Sequence, residues 1–257
     1  MIRGLYTAAS GLISNLRRQE TVSNNLANLN STGYKEDASA DSSFEKVLAT
    51  KVGNAPVPVP LTFMRRLGTI GTGAYQDDRR PYLRQGTLEQ TGEALDVAIV
   101  GTGFFAIRTA DGQTEYTRDG HFTTNAQGEV VTAEGRQVLG AGGQPIVVGD
   151  ADPLVLRNGD VVVGPDVVGT LALYDISPDQ LVRAEGSAFT SIGTPALVTA
   201  GSEPRLEQGK LEQSNIELAA ETSRLMAASR QFEASQRLFK ELSANLEKTV
   251  NEVGRVG

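Results

Sequence analysis

Chemistry in this chain would have to be done with few reagents. There is one histidine, His121, and no cysteine among the 257 residues. That removes thiolate nucleophiles, disulfides and thiolate metal sites, together with most imidazole-based zinc sites. His121 stands in Arg118-Asp119-Gly120-His121-Phe122 with no second histidine to share a metal, and it reads as a surface turn residue. Asp150 and Asp152 form a carboxylate pair of the type that glycoside hydrolysis requires, two acids about 5 to 10 Å apart. Their setting, Val148-Gly149-Asp150-Ala151-Asp152-Pro153, is turn sequence in which Asp is common. Asp77-Asp78-Arg79-Arg80 reads as a solvated charge cluster. The clusters Gly68-Thr69-Ile70-Gly71-Thr72-Gly73 and Gly101-Thr102-Gly103 invite a phosphate-loop reading, but a dinucleotide fingerprint needs G-x-G-x-x-G opening a helix. The first has the spacing reversed and the second joins two strand-like segments, so both are expected as turns or bulges. G-x-S-x-G, H-E-x-x-H and G-x-x-x-x-G-K-[ST] do not occur. The expectation is a chain that is not an enzyme, with no catalytic, metal or cofactor site.

Composition points the same way. Net charge is −7, hydrophobic residues make up 39% and charged residues 21%, the profile of a folded chain rather than a disordered one. An acidic balance argues against nucleic acid, whose phosphates call for a basic patch. No apolar run approaches the roughly 20 residues that cross a bilayer. The start, Met1-Ile2-Arg3-Gly4-Leu5-Tyr6, lacks the apolar stretch of a secretory signal.

The elements fall into three textures. From Ile2 to about Leu29, Leu5, Ala9, Leu12, Leu16, Val22, Leu26 and Leu29 recur at steps near 3.5, the spacing of a coiled-coil seam. Asn30-Ser31-Thr32-Gly33 supplies turn chemistry to end that helix. From about Glu217 to Val253, Leu218, Thr222, Leu225, Ser229, Phe232, Gln236, Phe239, Ser243, Leu246 and Val250 repeat at alternating fours and threes, with Met226, Leu242 and Val253 to one side. Such a thin, partly polar seam wants a partner helix. Between the helices, Ala55-Pro56-Val57-Pro58-Val59-Pro60 is extended by proline sterics. From Leu88 to about Val198, short apolar runs alternate with turns such as Asp111-Gly112 and Asn158-Gly159, which implies an antiparallel β domain. The fold class is therefore α+β, an antiparallel β domain inserted between helices from opposite ends of the chain. The asparagines of Val22-Ser23-Asn24-Asn25-Leu26-Ala27-Asn28 suit a helix poorly. They are either polar seam residues that specify register or a fraying end in water, and both readings stand.

Ser23-Asn24-Asn25-Leu26-Ala27-Asn28 followed by Ser31-Thr32-Gly33-Tyr34-Lys35 resembles the N-terminal signature of bacterial flagellar rod and hook proteins. The middle is similar as well: Gly86 to Gly92, Leu95-Asp96-Val97-Ala98-Ile99, Gly101-Thr102-Gly103-Phe104-Phe105 and Tyr116-Thr117-Arg118-Asp119-Gly120. So is the end, Gln208 to Ile216 with Leu211, Glu212, Ser214 and Asn215, then Arg230-Gln231-Phe232-Glu233. The resemblance implies terminal helices paired as a coiled coil (1–33 plus 216–257), extended linking segments (34–86 plus 206–215) and a β domain (87–205). It implies a structural subunit that polymerises into a hollow helical shaft, the rod that carries torque to the hook. Leu5, Leu12, Leu16, Asn24, Asn25, Leu26, Asn28, Leu225, Phe232, Phe239 and Leu246 would form the assembly interface. The implied partners are further copies, other rod and hook subunits and the flagellar type III export apparatus, with no nucleic acid and no small-molecule substrate. Location would be the flagellar basal body in the cell envelope, reached without a cleaved signal, and the missing cysteine suits export as an unfolded chain.

Length and the compact stretch Asp175–Glu207 resemble the proximal hook-like rod protein more than the distal one, and the longer hook protein less than either. The alternative from another class is a glycan-binding, adhesin-like module with helices that only dimerise.

Overall fold

The computed structural model describes residues 2–38, 41–43, 46–51, 65–71, 74–76, 80–149, 151–198 and 204–254. Helix α1 spans Ile2–Ala27 and helix α2 spans Leu218–Gly254. Among the described residues, everything between them is strand, turn and one short 3-10 turn at Pro178–Gln180. The α+β expectation holds. The chain forms two compact units, one of Met1–Ser23, Ser39–Arg79 and Thr222–Gly257, the other of Asn24–Ala38 and Arg80–Glu221.

The second unit is built around the strand Phe104–Arg108. One of its edges pairs Thr114–Thr117, and the other is shared by Gln137–Val138 and Leu173–Asp175, all antiparallel. The sheet continues through Ala188–Ser191 and Leu181–Arg183 on one side and through Val130–Thr132 and Phe122–Thr124 on the other. The unbroken apolar run Phe104-Phe105-Ala106-Ile107 is explained by burial on both faces: alternate side chains enter opposite cores. Phe105 meets Phe122 edge-on at 5.1 Å in one core, and Phe104 meets Phe189 at 5.8 Å in the other. A separate three-stranded sheet joins Leu154–Val155, Asp160–Val163 and Asp166–Thr170. The return from the β region is itself paired: Arg205–Gln208 runs against Val97–Val100 and Lys210–Glu212 against Leu88–Gln90.

In the first unit, Lys46–Lys51 pairs Arg65–Gly71 and Asp41–Ser43 pairs Ala74–Gln76. The ladder between the longer pair shifts register at Ala49/Thr50, opposite Gly68, so the first glycine cluster lies in a bulged strand. Thr72 and Gly73 lie outside the described residues, as do Ala55–Pro60, the proposed extended proline segment. Side-chain hydrogen bonds join the helices: Asn15 Nδ2 donates to Ser235 Oγ at 2.8 Å, and Arg18 to Gln231 Oε1 at 3.2 Å.

Helix α1 stops two residues before Leu29. Asn28 closes its last turn by donating its side chain to the carbonyl of Asn24 at 2.9 Å, and the chain turns through Gly33 at φ +66°.

Candidate assembly surfaces and the buried polar junction

His121, the lone histidine, serves a structural contact. His121 is half-exposed, and its Nδ1 lies 2.7 Å from Oδ1 of the buried Asp96, bridging two antiparallel segments. Asp152 is exposed, and Asp150 lies outside the described residues. Gly101 and Gly103 take φ +103° and +121° in the connection between Val97–Val100 and Phe104–Arg108. Among the described residues, no group of three or more His, Asp or Glu could hold a metal ion, and no helix is long and apolar enough to cross a membrane.

The seam residues occupy mixed positions. In α2, Leu225, Ala228, Phe232, Ser235, Phe239, Leu242, Leu246 and Thr249 are buried or half-buried at alternating threes and fours, and Thr222, Ser229 and Ser243 beside them are half-buried too. Leu225, Phe232, Phe239 and Leu246 lie on that stripe as expected. Of the expected second row, Thr222, Ser229 and Ser243 are half-buried, but Gln236 and Val250 are exposed, and Ala228, Ser235, Leu242 and Thr249, one position earlier, carry the stripe throughout. In α1, Leu5, Leu12 and Leu26 are half-buried, but Leu16 is 43% exposed. The neighbouring Asn15 is buried instead, because its amide can reach Ser235 and a leucine could offer that hydroxyl nothing. Apolar periodicity could not find such a position.

The asparagines fit neither reading as a group. Asn24 is exposed, and Asn28 caps the helix. Asn25, 1% exposed, brackets the backbone of Asp37: its Nδ2 donates to the Asp37 carbonyl and its Oδ1 accepts the Asp37 N–H, both at 3.0 Å. The bracket serves a contact 12 residues away, neither a seam nor a frayed end.

Residues of the three sequence motifs meet at a buried polar junction inside the second unit. Gly33 donates its N–H to the Glu212 carbonyl at 2.7 Å. Lys35 Nζ, fully buried, lies 2.5 Å from Glu212 Oε1 and donates to the Arg84 carbonyl at 3.0 Å. Arg118 reaches Glu212 Oε2 at 3.2 Å and the Gly101 carbonyl at 2.8 Å, with its guanidinium 5.3 Å from the Phe104 ring centre. The N–H of Gly86 also donates to Glu212 Oε1, at 2.8 Å. One carboxylate thus serves two cations. Burial pushes the Lys35 ammonium below its ordinary value, and the Glu212 charge opposes that fall. Burial acts in the same direction on Arg118. Asn215 completes the junction: Oδ1 accepts from the Glu36 N–H at 2.7 Å, and Nδ2 donates to the carbonyls of Tyr82 and Arg84.

A second clamp lies beside it. Arg183 grips the Asp37 carboxylate through Nε at 2.9 and 3.0 Å and through a terminal nitrogen at 2.7 Å. Its guanidinium stacks between Tyr34 at 4.2 Å and Phe189 at 4.8 Å. Of the other motif residues, Leu211, Tyr116, Gly103 and Phe104 are buried, and Gly101 and Ser214 half-buried. Asp37 and Arg183 were missed by sequence reasoning, and so was the pairing of Lys35. A lone Arg and a lone Asp 146 positions apart carry no local signal; the only hint was the Tyr34-Lys35 pair inside a motif.

Three family models match in chain order: "Flagella basal body rod protein" at residues 5–35, "Flagellar hook protein FlgE/F/G D1 domain" at 98–171 and "Flagellar basal body rod FlgEFG protein C-terminal" at 207–252. The chain is 32% identical to a flagellar basal-body rod protein FlgF of Mesorhizobium japonicum, over 97% of each chain. It is 30% identical to a flagellar basal-body rod protein FlgG of Borreliella burgdorferi, over 93% of this chain and 94% of the relative. It is also 28% identical to a flagellar hook-basal body complex protein FlhO of Bacillus subtilis across the full length of both. With the three motifs matched in order and identity sustained end to end, the chain belongs to the flagellar basal-body rod protein family, whose members are structural subunits of the rod and not enzymes.

Proposed function

We propose that this rod protein is the proximal hook-like member, the distal rod protein being the alternative, and that it polymerises through its terminal helices into a hollow shaft that transmits torque to the hook. Its domains are taken as a terminal helical coiled coil (1–33 plus 216–257), linking segments (34–86 plus 206–215) and a β domain (87–205). The observation that carries the reading is the heptad alternation of α2 from Leu225 to Thr249, whose positions are mostly only half-buried in the single chain. A stripe of that spacing fits a partner helix. Tyr6, Ile13 and Leu16 leave further apolar surface exposed on α1, at 70%, 53% and 43%. A heterologous contact that does not close into a ring propagates as an open helix, which is what a shaft requires. The assembly interface comprises Leu5, Leu12, Leu16, Leu26, Leu225, Phe232, Phe239 and Leu246; Asn24 is exposed beside it, whereas Asn25 and Asn28 are engaged within the subunit. Each large apolar side chain that becomes fully buried contributes about 1.5–3 kcal/mol, so a few per subunit decide polymerisation. Partners are further copies, other rod and hook subunits and the type III export apparatus, which takes the chain unfolded and without a cleaved signal.

The terminal helices, apart from the segment 24–38 that the second unit holds, are expected to be largely unfolded in the free monomer and to order on assembly. Far-ultraviolet circular dichroism of the full chain against one lacking 1–33 and 216–257 tests this. A large cooperative helical signal in the monomer that vanishes with the ends overturns it. A deletion strain whose basal bodies stop within the rod supports the assignment, and the point of truncation separates proximal from distal. Complete rods in that strain would refute it.

A further inference from the structure

The segment 24–38 is held almost entirely by residues that come much later in the chain. Thr32 donates to Asp119 Oδ1 at 2.6 Å, and Asp37 is gripped by Arg183. Gly33 and Lys35 both bond Glu212, and Glu36 bonds Asn215. Electrostatics single out Glu212 among these anchors. Lys35 and Arg118 are both buried, the Arg118 charge lowers the lysine's preference for its charged form, and Glu212 is the carboxylate that both contact. Before strand Lys210–Glu212 is in place, docking Lys35 beside Arg118 brings two buried cations together, with backbone carbonyls for both and the Asp175 charge for Arg118 alone. That arrangement is strongly unfavourable.

We propose that Glu212 is an electrostatic gate: segment 24–38, and with it the last turn of α1, orders only after the strand Lys210–Glu212 has docked, so the N-terminal signature stays open until nearly the whole chain is present. This deepens the reading of the protein as a subunit that travels unfolded and rests on it for its purpose. The device holds off N-terminal order in an incomplete chain, when a prematurely structured end would obstruct passage. The carboxylate does this because it arrives 177 residues after the lysine it neutralises.

Hydrogen exchange on the purified full chain, followed by mass spectrometry, tests the gate independently of export. Glu212→Gln keeps the shape and removes the charge. Exchange across 24–38 is expected to accelerate at least tenfold, while Phe104–Arg108 and Thr114–Thr117 keep their protection. Adding Lys35→Met to that variant removes the second cation and should restore a substantial part of the protection, a recovery that lost packing alone would not give. Pulse-labelled refolding of the native chain should show 24–38 becoming protected together with 210–216 and after the central strands. The proposal is overturned if Glu212→Gln leaves 24–38 protected, or if central strands and segment lose protection in parallel. It is equally overturned if Lys35→Met gives no recovery, or if 24–38 is protected before 210–216. Failure here leaves the rod assignment untouched, because that is read from basal bodies.

Discussion

Replacing Gly33 with alanine probes how closely the N-terminal signature is pressed against the β unit. Gly33 adopts φ +66°, and an added Cβ would lie 2.2 Å from the Asp119 nitrogen and 2.3 Å from the Arg118 carbonyl carbon. Both are backbone atoms, so no side chain can swing aside. The left-handed conformation alone costs a non-glycine residue about 1–2 kcal/mol. Relieving the collision must move Gly33 off its bond to the Glu212 carbonyl and Thr32 off Asp119, at roughly 0.5–1.5 kcal/mol for each bond lost. The total is about 2–5 kcal/mol, a large part of the roughly 5–15 kcal/mol that holds a typical domain folded. Gly92 supplies the control: its φ is +81°, yet nothing lies within 4 Å of its would-be Cβ. Gly92→Ala should therefore show the conformational cost alone. Urea unfolding followed by the near-ultraviolet signal of the tyrosines gives both values. If Gly33→Ala costs no more than Gly92→Ala, the close approach is not what fixes the segment.

Arg183→Lys keeps the charge but loses the fork on Asp37 and the planar stack between Tyr34 and Phe189; it should destabilise the second unit by about 1–3 kcal/mol in the same urea assay. Phe105→Ala, at a site 0% exposed in the core with Phe122, should cost about 3–5 kcal/mol, and Phe105→Leu much less. Burial raises the Asp119 carboxyl above its ordinary 3.8, against hydrogen bonds from Thr32 and His121 that favour its charge. The folded state then holds that proton more tightly than the unfolded chain. Its stabilising contribution is full below about pH 3.8 and is lost as pH rises through the raised folded value. Asp119→Asn should remove that fall, so the difference between variant and native urea midpoints should shift in the variant's favour between pH 3 and 7. A flat difference counts against the shift.

The single chain also shows how one family motif can hold two kinds of information. Tyr34-Lys35 reads in sequence as the end of a helix signature. In the fold, Tyr34 is one face of the Arg183 stack and Lys35 is the buried partner of Glu212. Gly101-Thr102-Gly103 reads as a turn and is one, but the Gly101 carbonyl is also a ligand of Arg118.

Local periodicity, though it missed the paired strands Lys46–Lys51 and Arg65–Gly71, was enough to place both helices, the α2 stripe through Leu225, Phe232, Phe239 and Leu246, and the β character of the region from Leu88 to Val198. Each of these is a property of neighbours within a few residues, where backbone geometry ties spacing to side-chain direction. The doubly buried strand Phe104–Arg108 belongs here too, since an uninterrupted apolar run needs no distant partner to be noticed. Asn25, Asn15, Asp37 and Arg183 were a different matter. Polar residues are tolerated inside a protein only when a partner satisfies them, and these partners lie 12 to 220 positions away. The sequence therefore determined the elements and the family. Which polar groups were to be buried, and the convergence of three motifs on the carboxylate of Glu212, was decided by tertiary structure, because folding alone brings a charge and its counter-charge within reach.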